Sequence, residues 1–137
     1  MLLGGQGFEG ANDEYRKAHK HYQDGNVKEC LNECLKAFES TMKSICTLRG
    51  WGYQKTDTAA KLIEICLQNN LLPASMQSHL GAMSSLLGSG IPTIRNKMSG
   101  HGQGPAATTV PPFYAEYLLH ATAASIVFLV DAFKALP

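Results

Sequence analysis

The chain has 137 residues, the size of one ordinary domain, so a single core and one principal site are expected. Hydrophobic residues make up 45% of it, a globular share, while charged residues reach only 17%, below the usual value of about 25%. Its 12 Lys+Arg against 11 Asp+Glu give a net charge of +1, which excludes a histone-like or polybasic binder working through bulk attraction. The charges are unevenly placed. None falls between Ile65 and Ile94, and between Lys61 and Lys134 the only cations are Arg95 and Lys97.

Residues 1–11, glycine-rich, form a flexible lead-in, and 12–137 form the folded domain. Asn12 offers a cap for a first helix over about 12–23, with Asp13 and Glu14 where the macrodipole favours anions and Asp24-Gly25 as its stop. Asn26 and Glu29 make a second cap signature. Val27, Cys30, Leu31, Cys34, Leu35, Phe38, Met42 and Ile45 then recur at three and four, predicting a long amphipathic helix to Arg49-Gly50. Trp51 to Thr56 is a connector. Asp57 or Thr58 caps a third helix carrying Leu62, Ile63, Ile65 and Cys66, stopped at Asn69-Asn70.

Pro73 and Ser75 open a fourth helix through Met76, Leu80, Met83, Leu86 and Leu87, closed by Gly88-Ser89-Gly90. Pro92 starts a short helical turn bearing Ile94, Arg95, Asn96 and Lys97, and residues 99–110 read as a loop. Pro111-Pro112 suits the first turn of a last helix, Phe113 to about Phe133. Its uncharged apolar stretch, Tyr117 to Val130, is shorter than the roughly 18 to 20 residues of a membrane span, so a buried helix and no membrane association are expected. The pattern predicts an all-α fold: a bundle of four or five antiparallel helices with one Gly-rich insert before the last.

Cys30, Cys34, Cys46 and Cys66 fall inside helical apolar patterns, with no secretory leader before them, and read as reduced core thiols of a cytoplasmic protein. No second ligand pair at zinc spacing accompanies them, so neither a metal nor a cofactor is expected. Arg16, Lys17, His19, Lys20 and His21 form a basic patch that either guides RNA or is a solvated helix face. His79 and His120, on apolar stretches, read as hydrogen-bonded core or interface groups. Glu39 either pairs with Arg95 across the bundle or is a surface carboxylate.

The most informative segment is Arg95-Asn96-Lys97-Met98-Ser99-Gly100-His101-Gly102. On a continuous helix Arg95 and His101 would sit about 120° and 9 Å apart and would not meet. Glycines flanking His101 allow a bend that brings its imidazole back toward Arg95. A guanidinium, a carboxamide, an ammonium and an imidazole would then share one small region. Those groups suit a phosphodiester: Arg grips phosphate oxygens in a fork, and His moves a proton at neutral pH. In RNA the neighbouring 2′-hydroxyl is the nucleophile, and transesterification needs no metal. The alternative is that Arg95 caps carbonyls at a helix end and His101 is a loop residue.

The Arg-polar-x(4)-His pattern, placed after four helices and before a last apolar one, resembles the R-x(4-6)-H motif of the HEPN superfamily. The strings IPTIRNKMSGHG and AFESTMKSIC look like the C-terminal domain of abortive-infection proteins within it, over about residues 12–134. The resemblance implies a four- to five-helix bundle and a homodimer whose composite cleft holds two motifs. It further implies a metal-independent endoribonuclease acting as a toxin or in phage defence, with an antitoxin or upstream domain as partner. It places the motif Arg on Arg95, its following polar residue on Asn96 and the motif His on His101, the three expected catalytic residues; Lys97, Gly100 and Gly102 beside them are the expected substrate-binding residues. The alternative is a non-catalytic dimerisation or nucleotide- or partner-binding module, since many HEPN domains have lost catalysis.

Overall fold

A computed structural model describes residues 6–82, 84–85 and 111–137. The elements are α1 (Glu9–Gln23), α2 (Val27–Arg49), α3 (Ala59–Gln68), a 3₁₀ turn (Ala74–Met76) leading into α4 (helical at 77–82 and 84–85), and α5 (Pro112–Lys134). Among the described residues there is no strand.

α2 is the central element because its apolar residues recur every three or four positions. Leu31, Cys34, Phe38, Met42 and Ile45 therefore fall on one side and are buried. Gly50 ends the helix at φ 75°, where an L side chain would be strained, and Trp51 N–H reaches back to the Cys46 carbonyl at 2.8 Å. Asn26 stands at the N-cap as expected, but its side chain makes no capping bond; its amide lies 3.5 Å from His21 Nδ1. Thr58 precedes α3 without a side-chain cap, and Asn70 ends that helix at φ 60°, a conformation that asparagine tolerates.

α1 begins at Glu9, three residues ahead of the expected Asn12 cap. The reason is Phe8, which is 2% exposed and sets its ring edge-on against Phe133 at 5.8 Å, so the chain is already packed there. Asn12 is buried within the helix rather than capping it.

Cross-links fix the helix directions. Phe8 meets Phe133, Tyr15 Oη donates to the Leu119 carbonyl at 3.1 Å, and Tyr22 Oη donates to Glu116 Oε2 at 3.3 Å, so α1 runs antiparallel to α5. α1 and α2 form a hairpin through a three-residue turn, residues 24–26, so α2 and α5 run in the same direction. Cys34 beside Thr122 and the Arg49 guanidinium on the Pro137 carbonyl at 3.3 Å agree. Gly50 and Pro111 therefore lie at opposite ends of the bundle.

α5 is long and apolar enough, by length and composition, to cross a membrane. In the fold one of its sides, including Leu118, Leu119, Ile126 and Leu129, is buried in the core.

Candidate functional site

Arg95, Asn96, Lys97, Gly100, His101 and Gly102, the residues to which the sequence points, lie outside the described residues. What the structure supplies is the frame from which that segment departs and to which it returns. α4 lies beside α3, where Ala60, Ile63 and Leu67 share a groove with Gln77, Gly81 and Ser84. The chain re-enters at Pro111, and Pro112 occupies the first turn of α5, where its missing N–H costs nothing.

At this end of the bundle α5 presents Phe113 (63% exposed), Tyr114 and Tyr117 (60% exposed), with the Phe113 and Tyr114 rings edge-on at 5.0 Å. Beside them, at the C-terminal end of α1, the Tyr22 phenol is bonded to Glu116, and the His19 ring lies 6.5 Å from that of Tyr22. Desolvation and the Glu116 carboxylate hold the Tyr22 phenol above its ordinary pKa. Three large exposed aromatics at one helix start were not foreseen in the sequence. The available signal was the FYAEY run directly after Pro111-Pro112.

The basic patch on α1 is interleaved with acids. Lys17 pairs with Asp13 at 3.1 Å and Lys20 with Asp24 at 3.2 Å, both i, i+4 and well exposed. The hydrogen bond to Asp13 raises the Lys17 pKa. Such pairs contribute little to stability, and the patch reads as a solvated face.

A cavity of about 280 Å³ opens between α2, α4 and α5, lined by Phe38, His79, Leu80, Ser125, Phe128 and Leu129. His79 is exposed at its rim, its ring edge-on to Phe128 at 6.0 Å, and His120 is also exposed. Neither is a core group, because each falls on the outward side of its helix; of the two expected roles, that leaves the interface one.

All four cysteines are buried free thiols. Cys34 shares a hydrogen bond with Cys30 one turn away on α2, and Cys66 on α3 shares one with Cys46 on α2; that bond and burial raise the pKa of Cys34 and of Cys66. Among the described residues no group of three or more His, Cys, Asp or Glu could hold a metal ion.

Glu39 is half-buried on α2. Burial pushes its carboxyl above the usual range and Glu14 adds to this, while Lys43 and the Ala59 N–H at the start of α3 act the other way. Glu14 Oε1, on α1, is buried without a hydrogen-bond partner.

The described helices thus form a bundle, and Arg95 and His101 fall in sequence between α4 and the last helix. The family model for Abi_C, a HEPN-like domain, matches residues 9–133, and the chain belongs to that family. Comparisons with curated proteins and with solved structures returned no match.

Proposed function

We propose that the chain is a metal-independent endoribonuclease domain of the toxin or abortive-infection type, cutting single-stranded RNA in the cytoplasm during phage defence. The observation that carries this reading is the family match, which spans Arg95, Asn96 and His101. His101 takes the proton from a 2′-hydroxyl, whose oxygen attacks the adjacent phosphorus. Arg95 binds the non-bridging oxygens as their negative charge grows, and Asn96 orients one of the two. The 5′-oxygen leaves with a proton from a second imidazole, supplied by the other subunit of a homodimer with a composite cleft. The products are a 2′,3′-cyclic phosphate and a 5′-hydroxyl. Lys97 and the backbone at Gly100 and Gly102 hold the flanking phosphates. The exposed Phe113, Tyr114 and Tyr117 support an RNA substrate, because unpaired bases stack on aromatic faces.

Purified protein incubated with single-stranded RNA in EDTA is expected to yield fragments with cyclic phosphate ends. RNA binding without any cleavage would instead identify a non-catalytic module.

A further inference from the structure

At the end of the bundle opposite Pro111, a groove of about 240 Å³ runs between the start of α1, the C-terminal half of α2 and the following connector. Ser40, Lys43, Ser44 and Thr47 line it from α2, at the three- and four-residue spacing that places them on one face; Leu48, Tyr53, Gly7 and Gly10 complete it. Ligand cavities for drug-sized molecules run about 300 to 1,000 Å³, so this one is sized for a smaller group.

Four hydroxyl side chains and one ammonium line the groove beside the apolar Leu48. The half-buried Lys43 is held in place by donating to the Lys55 carbonyl at 2.7 Å, which leaves its other ammonium protons available. Thr47 Oγ1 and Tyr53 Oη are fixed on each other at 2.9 Å. Elsewhere Thr41, Thr122 and Ser125 spend their hydroxyls on carbonyls of their own helices. Ser40 and Ser44, by contrast, make no hydrogen bond among the described residues. No carboxylate lines the groove: Glu9 is turned onto the Gly7 N–H at 2.9 Å. Glu39 stands one turn before Lys43 on α2, within electrostatic reach of it, but does not line the groove.

One ammonium and the uncommitted Ser40 and Ser44 hydroxyls, lining a groove that holds no carboxylate, suit a compact oxyanion with several acceptor oxygens. We propose that this groove binds a phosphate group, with Lys43 as its charge partner and the Ser40 and Ser44 hydroxyls as further donors. The site is separate from Arg95 and His101, and its occupancy is read by binding, so it stands or falls independently of RNA cleavage.

Calorimetry on the full chain, with amide NMR shifts, tests it using inorganic phosphate, adenosine 5′-monophosphate, and one oligoribonucleotide with either a 5′-phosphate or a 5′-hydroxyl. Phosphate-bearing probes are expected to bind and to shift the amides of Ser40, Lys43 and Ser44. Lys43→Met should weaken binding roughly tenfold or more, as loss of a charged hydrogen bond does. Ser44→Ala should weaken it less, and Lys36→Met on the exposed side of α2 should leave it unchanged. Tighter binding of the 5′-phosphorylated oligomer than of inorganic phosphate would identify a nucleic-acid end as the source, and equal binding the free ion. Absence of binding by every probe, or wild-type affinity in a folded Lys43→Met, would overturn the proposal.

Discussion

The Tyr15 hydroxyl on α1 donates to the main-chain carbonyl of Leu119 on α5 across 3.1 Å, joining two helices 104 residues apart in sequence. Burial, chiefly, holds that phenol protonated and pushes its pKa up to about 12. Removing the hydroxyl in Tyr15→Phe should cost about 1 kcal/mol in urea denaturation. The pH dependence follows from the direction of the shift. An unfolded tyrosine ionises near pH 10, so this contribution is complete below that value and is lost as pH rises through 12. Phenolate absorbance should include a component titrating near pH 12, and that component should vanish in Tyr15→Phe.

Gly50 closes α2 at φ 75° in open space, where an added Cβ would meet nothing within 4 Å. Gly50→Ala should therefore lower stability through backbone strain alone, by about 1 kcal/mol. The denaturation midpoint should fall while the helical signal of the folded state is unchanged.

Glu39 is held toward its neutral form, mainly by burial, with Glu14 of α1 adding to the shift and Lys43 and the Ala59 N–H opposing it. A carboxyl whose pKa is raised on folding binds its proton more tightly in the folded state. Its contribution is thus complete below the unfolded pKa and is lost as pH rises through the folded one. Glu39→Gln stays neutral at every pH, so it should gain stability relative to wild type as pH rises from the ordinary carboxylate range toward neutrality. Parallel urea midpoints for the two proteins across that range would contradict this.

The helices were legible because local spacing dictates them. The apolar repeat of α2, the stops at Gly50 and Asn70, and the Pro111-Pro112 entry to α5 all act within one or two turns of chain. The start of α1 was not legible, because Phe8 sits among glycines and its value comes from Phe133 at the other end of the sequence. The shared direction of α2 and α5 depends on cross-bundle bonds such as Tyr15 to Leu119, which no local pattern encodes. The same holds for Glu39, whose environment is assembled from α1, α2 and α3. The polar stripe Ser40, Lys43, Ser44, Thr47 was present in the sequence at helical spacing, but only the approach of α1 and Tyr53 turns it into a groove. Arg95 and His101 were singled out by residue chemistry and family resemblance, and they lie outside the described residues.

The most direct test of the ribonuclease reading is cleavage of a defined single-stranded RNA in EDTA by wild type, His101→Ala and Arg95→Ala, with helical content and dimerisation measured alongside. Loss of a proton-transfer group lowers rates by about 10² to 10⁴. The account predicts cyclic-phosphate products from wild type and a fall of that order in both folded variants. Cleavage by His101→Ala at the wild-type rate would contradict it.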